Sequence, residues 1–110
     1  MDIIEKQVEA YNARDLERFI ACYAPDIVIE DGDGNVTGRG QDKMRERYGA
    51  LFEASPELHG RIVNRIRIGK YVIDEEKVTG INVEGLPSEM HAVVAYRVEG
   101  DRIVHVRMYS

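Results

Sequence analysis

A carboxylate stands where an apolar segment of the chain runs into a turn. Ile27-Val28-Ile29 leads into Glu30 and Asp31, and Gly32-Asp33-Gly34-Asn35 follows. A carboxyl group at the rim of an apolar cavity has a raised pKa and can move a proton between two carbon atoms. An aspartate in front of Gly-Asp-Gly-Asn also suits a turn without any catalysis. Asp31 is therefore predicted to be either a proton shuttle, with a pKa above the ordinary value of about 3.9, or a turn residue alone.

Metal and cofactor motifs are missing from the chain. The segment Asp31–Asn35 resembles the start of a calcium loop, but Val36 stands where such a loop needs glycine. Cys22 is the single cysteine, and no Cys/His cluster indicates zinc. Gly38-Arg39-Gly40 lacks the third glycine of a dinucleotide site. We expect no metal and no cofactor, so any reaction would depend on side chains alone.

Three amphipathic helices are predicted in the first half of the chain. Asp2 and Glu5 suit a capping box at the start of the first helix. Asp15 suits the cap of a second helix, which ends before Pro25. A third helix is predicted over 41–55. A strand over 27–31 and a short partner at 36–37 are predicted between the second and third helices.

The second half of the chain changes to a period of two, which indicates strands. Strands are predicted over 59–68, 71–83, 88–98 and 102–109, with glycine-containing turns between them. Helices followed by a long antiparallel meander indicate an α+β fold, with the helices on one face of a curved sheet. The 110 residues are predicted to form a single domain, 1–110.

The same alternation predicts the two faces of the sheet. One face is almost wholly apolar and should meet the helices; it includes Ile62, Ile66, Ile68, Met90, Val94 and Tyr96. The outer face is half apolar and carries arginine and tyrosine, as is typical of subunit interfaces. A homodimer through the outer face is therefore predicted, and an open face covered by long arginine side chains is the alternative. The predicted outer face comprises Val63, Arg65, Arg67, His91, Val93, Ala95, Arg97, Ile103, His105, Arg107 and Tyr109.

Composition and charge exclude several classes of function. A net charge of −5 argues against binding to nucleic acid, which requires a basic face. No apolar run approaches the roughly 18 residues of a membrane span, and no basic and apolar leader precedes Asp2. We expect a cytoplasmic protein with neither nucleic acid nor membrane as a partner.

Segments near both ends of the chain resemble the NTF2-like superfamily, in its SnoaL-like and ketosteroid-isomerase-like branch. They are Asn12-Ala13-Arg14-Asp15-Leu16, Tyr96-Arg97-Val98 and Arg102-Ile103-Val104. The resemblance implies a cone of three N-terminal helices on a curved antiparallel sheet, with an apolar pocket between the layers. It also implies that Asp31 occupies the position of the catalytic base.

The oxyanion donors of the isomerases are not matched in this chain. Those enzymes pair their base with a tyrosine and a protonated aspartate. Gln7 and Val94 stand at the corresponding positions. Gln7 offers an amide, and Tyr11 lies one turn further along the same helix. These departures argue against steroid isomerisation.

Two classes of function therefore stay open. The first is a cofactor-free isomerase, cyclase or lyase acting on a small apolar carbonyl compound, with Asp31 as proton shuttle and Gln7 or Tyr11 polarising the carbonyl. The second is a non-catalytic module for binding a small ligand or for dimerisation. Apolar and aromatic side chains predicted to contact the ligand would serve equally well as a filled core. They are Phe19, Tyr23, Tyr48, Phe52, Met90, Val94, Tyr96, Val106 and Met108.

Overall fold

The order of elements follows the change in sequence period. In the computed structural model, which describes residues 1–110, three helices lie in the first half of the chain and four long strands fill the second. None of the helices combines the length and the apolar character needed to cross a membrane. The elements are α1 (Ile3–Asn12), α2 (Leu16–Ala21), β1 (Tyr23–Asp31), β2 (Val36–Arg39), α3 (Gly40–Ala54), β3 (His59–Ile68), β4 (Tyr71–Thr79), β5 (Met90–Glu99) and β6 (Arg102–Tyr109).

Side chains cap the first two helices as predicted. The Asp2 carboxylate accepts a hydrogen bond from the Glu5 backbone N–H, and the Glu5 carboxylate accepts one from the Asp2 N–H. Asp15 accepts from the backbone N–H of Arg18 at the start of α2. These bonds satisfy backbone donors that have no partner inside the helix, which is why the helices begin at these residues. Both predicted caps are confirmed.

The turn between α1 and α2 fixes the helices to the sheet. The Asn12 amide donates to the Gly60 carbonyl oxygen at 3.0 Å and accepts from the Gly60 N–H at 2.7 Å. Arg14 donates to the carbonyl oxygen of Leu58 at 2.9 Å. The segment Asn12–Leu16 therefore joins α1 to the start of β3 as well as capping α2.

All six strands form one mixed sheet in the order β2-β1-β6-β5-β4-β3. Neighbouring strands are antiparallel except β1 and β6, which run parallel. The predicted α+β fold with three helices on this sheet is confirmed. β1 begins at Tyr23 rather than at the predicted Ile27. Pro25 is tolerated there because pairing with β2 starts only at Val28, so its missing N–H removes no bond of that ladder.

Two strands are shorter than predicted because the chain leaves the sheet at Gly80. Gly80 has a φ of 76°, and a Cβ atom there would lie 2.0 Å from the Glu57 carbonyl oxygen, so only glycine fits. β4 therefore ends at Thr79, and β5 begins at Met90. The intervening loop is closed by a hydrogen bond from the Ile81 N–H to the Ser88 carbonyl oxygen.

A β-bulge at Val63 corrects the predicted faces of β3. Ile62 and Asn64 pair with Glu76 and Glu75, which are consecutive residues of β4. Val63, between them, is therefore an extra residue without a partner. A slip of one residue exchanges the two faces of a strand beyond it. Arg65 and Arg67 therefore lie on the inner face, where the prediction had placed apolar residues. Ile66 and Ile68 lie on the outer face, with 56% and 67% of their surface exposed.

A second bulge, at Val104, has the same effect in β6. Arg97 pairs with His105 and Val98 pairs with Ile103, which leaves Val104 without a partner. The prediction that Ile103 lies on the outer face is wrong, since its exposure is 0%. On the outer face the exposed large apolar side chains form what we call the outer apolar patch: Ile66, Ile68, Tyr71, Val93 and Tyr109.

Candidate functional site

The helices and the inner face of the sheet enclose a cavity of about 500 Å³. Seventeen of its 25 lining residues are hydrophobic, so its walls suit an apolar molecule. Phe52 is not in the wall; it packs behind Tyr11 and Phe19, at ring centroid distances of 5.5 and 5.6 Å. The predicted site residues that line the cavity are Gln7, Tyr11, Phe19, Tyr23, Asp31, Tyr48, Met90, Val94, Tyr96, Val106 and Met108.

Asp31 lies at the border of the cavity, and its carboxylate is engaged in the turn that follows. It accepts hydrogen bonds from the backbone N–H groups of Asp33 and Asn35, at 2.9 and 3.0 Å, and from the Asn35 side-chain amide at 3.2 Å. The hydrogen bonds from Asn35 are the main cause of a pKa lowered below the ordinary value. Of the two alternatives predicted for Asp31, the lowered pKa favours the turn residue over the proton shuttle. Hydrogen bonds to the charged form outweigh desolvation at this border position.

Gln7 connects two tyrosines inside the cavity. The Tyr23 hydroxyl donates to Gln7 Oε1 at 3.0 Å, and Gln7 Nε2 donates to the Tyr96 hydroxyl oxygen at 3.1 Å. The Gln7 side chain is buried, and these two bonds satisfy its carbonyl and one of its amide hydrogens. Burial raises the pKa values of both Tyr23 and Tyr96 well above the ordinary value, so both hydroxyls keep their protons.

Tyr11 belongs to an aromatic cluster on the helical side of the cavity. Its ring makes edge contact with Tyr48 and Phe52, with centroids 6.4 and 5.5 Å away, and a tilted contact with Phe19 at 5.8 Å. Burial, together with the negative charge of Glu76, raises the pKa of the Tyr11 hydroxyl. Tyr11 is therefore a neutral hydroxyl beside a carboxyl group that the sequence prediction did not include.

That carboxyl group, Glu76 on β4, is the most unusual feature of the cavity. It lines the wall and forms neither a hydrogen bond nor an ion pair with another side chain. A Cβ atom on Gly60 would lie 2.9 Å from Glu76 Oε2 and 3.4 Å from Tyr11 Cε1. The glycine thus leaves room for the carboxyl group beside the Tyr11 ring. Desolvation, with a contribution from the charge of Asp74, raises the pKa of Glu76 from 4.5 to about 7.

Strand alternation explains how Glu76 enters the cavity. The inner face of β4 carries Val72, Asp74, Glu76 and Val78 in succession. Asp74 is fully buried and held by Arg65 in a bidentate ion pair, with N–O distances of 2.6 and 2.8 Å. Because this pair uses the arginine, Glu76 is left without a cation. In the sequence, Asp74 and Glu76 alternate with the same period as Val72 and Val78, which indicates that all four residues share one face of the strand.

An unpaired carboxyl group with a pKa of about 7 can both accept and donate a proton at neutral pH. The cavity therefore combines one acid–base group, several tyrosine hydroxyls and apolar walls. Among the side chains of the structure, no group of three or more His, Cys, Asp or Glu is arranged to hold a metal ion.

Comparison with known families assigns the fold. The model of the SnoaL-like domain matches residues 4–106. The chain belongs to the SnoaL-like domain family. The resemblance in the sequence is thereby confirmed. Among curated proteins, none matches the sequence of this SnoaL-like protein.

Solved structures share the fold over nearly the whole chain. An uncharacterised cystatin-fold protein from Novosphingobium aromaticivorans is 27% identical, with a TM-score of 0.86 over 98% of this chain and 97% of that one. A candidate polyketide cyclase from Sinorhizobium meliloti is 20% identical, with a TM-score of 0.78 over 96% and 92%. A hypothetical protein with a ketosteroid isomerase-like fold from Catenulispora acidiphila, solved in complex with trimethylamine, is 20% identical, with a TM-score of 0.74 over 98% and 84%. At 20% identity, the last two show the fold alone.

Proposed function

We propose that this SnoaL-like protein is a cofactor-free proton-transfer enzyme, an isomerase, cyclase or lyase acting on a small apolar carbonyl compound. The observation that carries the proposal is the unpaired Glu76 carboxyl group inside the apolar cavity. Glu76 takes the role of proton shuttle that the sequence had suggested for Asp31. Asp31 is the weaker candidate for this role, because the turn holds its carboxylate and its pKa is lowered.

The proposed reaction begins with removal of a proton next to the carbonyl group. The Glu76 carboxylate takes the proton, the C–H bond breaks, and its electron pair moves toward the carbonyl oxygen to form an enolate. Glu76 then returns the proton to a different carbon, or the enolate carbon attacks a second carbonyl carbon of the substrate, whose C=O π bond opens and whose oxygen takes the proton from Glu76. A pKa of about 7 suits both directions, since the acid and base forms are both populated at neutral pH. The apolar walls lower the local dielectric constant, which strengthens each electrostatic interaction within the cavity.

Hydrogen–deuterium exchange tests this proposal without knowledge of the natural substrate. A panel of small cyclic ketones and enones is incubated with the protein in D₂O, and loss of the α-hydrogen signals is followed by proton NMR. We expect the wild type to accelerate exchange for at least one member. Glu76→Gln should lower that rate by about 100-fold or more, because general-base catalysis contributes 10²–10⁴.

Glu75→Gln is the matched control, because Glu75 neighbours Glu76 on the same strand but faces outward and contacts His91 at 2.7 Å. Its exchange rate should equal that of the wild type. Exchange at the buffer rate for the whole panel would contradict the enzyme proposal. Exchange that survives Glu76→Gln would assign the base to another residue.

A second function, binding of a small amine, is favoured by one similar protein and by the charge in the cavity. The Catenulispora acidiphila protein was solved with trimethylamine. In this chain, ionised Glu76 would attract an ammonium group, and the faces of aromatic rings such as Tyr11 and Tyr48 would receive its methyl groups. Calorimetric titration with trimethylamine should then show tighter binding at pH 8 than at pH 6, lost in Glu76→Gln. Absence of heat at both pH values would exclude this function.

We further propose that two copies of the chain associate through the outer apolar patch. The patch is exposed and borders Arg97, whose Nε atom is buried without a hydrogen-bond partner. A half-apolar surface containing tyrosine and arginine has the composition of a subunit interface. Compared with the predicted outer face, this interface loses Arg65, Arg67 and Ile103 and gains Ile66, Ile68 and Tyr71.

A further inference from the structure

The hydrogen bonds of Gln7 have a direction that determines the position of one hydroxyl proton. Tyr23 donates to the Gln7 carbonyl, so the Gln7 amide nitrogen is the end that faces Tyr96. Tyr96 therefore accepts a hydrogen bond from Gln7 and cannot donate its own proton in return. No other side chain or backbone group accepts a hydrogen bond from the Tyr96 hydroxyl.

Tyr96, which carries this free proton, belongs to the largely apolar wall of the cavity. Tyr96 lines the cavity and has an exposure of only 5%. Buried polar groups nearly always have a partner, and a donor left without one loses the full free energy of its solvation. A ligand with an acceptor oxygen would supply that partner.

The hydroxyls of Tyr11 and Tyr48 also border the cavity, but no hydrogen bond orients them. A donor that is already oriented needs no reorganisation when charge develops on a bound oxygen, which makes it the more effective group. Tyr96 is the only tyrosine of the cavity whose hydroxyl oxygen accepts a bond from a fixed amide.

The register of the sheet places Tyr96 and Glu76 on the same face of adjacent strands. Tyr96 pairs with Val72 and Ala92 pairs with Glu76, so the two groups lie on the same face of adjacent strands, four residues apart along the strand. At about 3.3 Å per residue, their Cα atoms are offset by about 13 Å along the strands. The charge of Glu76 nevertheless helps to raise the pKa of the Tyr96 hydroxyl, so the two side chains are close enough to interact.

We infer that the Tyr96 hydroxyl binds the carbonyl oxygen of the ligand, and that Gln7 and Tyr23 act as positioning residues that hold its proton toward the cavity. This inference rests on the proposed function and specifies its substrate class: a neutral apolar molecule with one acceptor oxygen at the Tyr96 end and an acidic C–H at the Glu76 end. Tyr96 replaces the tyrosine and protonated aspartate that are missing from the positions of Gln7 and Val94.

Binding of a labelled ketone tests the inference independently of turnover. The probe is 2-acetylnaphthalene carrying ¹³C at its carbonyl, and its infrared carbonyl stretch and ¹³C shift are measured with and without protein. We expect a lower stretching frequency and a downfield shift in the bound state, as for any carbonyl that accepts a hydrogen bond. The ketone should bind roughly fivefold more tightly than 2-isopropenylnaphthalene, its hydrocarbon analogue, since one net hydrogen bond is worth about 1 kcal/mol.

Three variants separate the roles of the tyrosines. Tyr96→Phe should abolish the spectral shifts and the fivefold preference. Tyr23→Phe should weaken both, because Gln7 can then rotate and accept the Tyr96 proton itself. Tyr71→Phe is the control, because Tyr71 is exposed on the outer face of the sheet and lies outside the cavity, and it should change neither. The Glu76→Gln variant should retain both, which distinguishes failure of this inference from failure of the proton-transfer proposal.

Several results would overturn the inference. One is an unshifted carbonyl in the wild type, and another is a shift that persists in Tyr96→Phe. Loss of the shift in Tyr23→Phe alone would assign the free proton to Tyr23 through the opposite orientation of the Gln7 amide. Failure of the ketone to perturb the Tyr96 ring resonances at millimolar concentration would exclude a neutral carbonyl compound as the ligand.

Discussion

Replacing Glu76 with glutamine should make the protein more stable at alkaline pH. The unfolded chain ionises this carboxyl group near 4.5, whereas the folded protein retains the proton up to about pH 7. Between these values the unfolded state releases a proton that the native state keeps, so the free energy of unfolding of the wild type falls as the pH rises. The fall is complete above pH 7, and its size is about 3 kcal/mol at 1.36 kcal/mol for each pH unit between the two pKa values.

Glutamine has nearly the same shape and carries no charge, so Glu76→Gln removes this dependence on pH. Urea unfolding followed by circular dichroism measures the difference. We expect the variant and the wild type to agree within about 1 kcal/mol at pH 5, and the variant to be about 2–3 kcal/mol more stable at pH 8. Glu75→Gln, on the outer face of the same strand, should show no comparable gain at pH 8.

An equal difference between Glu76→Gln and the wild type at pH 5 and pH 8 would refute the raised pKa. It would mean that Glu76 ionises in the folded protein at its ordinary pKa, and the cavity would then lack its acid–base group at neutral pH.

Three further predictions concern other parts of the structure. Asp31→Asn should leave the exchange of α-hydrogens unchanged and lower the unfolding midpoint only slightly, because asparagine can accept the two backbone hydrogen bonds of the turn but not the one from the Asn35 amide; loss of exchange would return the role of base to Asp31. Arg65→Met should lower the free energy of unfolding in urea by about 3–5 kcal/mol, because it leaves the buried Asp74 unpaired. Arg67→Met, which breaks the exposed pair with Asp2, should lower it by less than about 1 kcal/mol, and equal losses would contradict this prediction. Light scattering should show a dimer of the 12.5 kDa chain, and Ile68→Lys should convert it to the monomer; a wild type that is monomeric at about micromolar concentration would refute the proposed interface.

Local signals in the sequence predicted the helices and most of the strands. Asp2, Glu5 and Asp15 cap their helices as expected, because these bonds join residues that are close in the chain. The sheet faces of β3 and β6 were partly wrong. Bulges at Val63 and Val104 each shift the alternation by one residue. The position of a bulge depends on how two strands pair, and the sequence of one strand alone does not show this pairing.

The sequence predicts most of the residues that line the cavity, but it does not predict Glu76 as the acid–base group. Asp31 ends an apolar strand, a position that predicts a raised pKa, yet its turn supplies hydrogen bonds that keep it charged. Glu76 lies in the run Asp74-Glu75-Glu76-Lys77, which has the appearance of a solvated strand. Its burial depends on the sheet register and on Arg65 pairing with Asp74, so only the tertiary structure identifies it.

The bulge at Val63 also bears on how the protein avoids aggregation. β3 is an edge strand of the sheet, with backbone groups open along one side, and it carries two exposed isoleucines. A long, regular and apolar edge of this kind would recruit the edge of another molecule and extend into fibrillar stacks. The bulge interrupts the regular ladder in the middle of the strand, and Arg61, Arg65 and Arg67 place charge along it. The bulge and these charges therefore disfavour strand addition at β3, although Ile66 and Ile68 are exposed on the outer face.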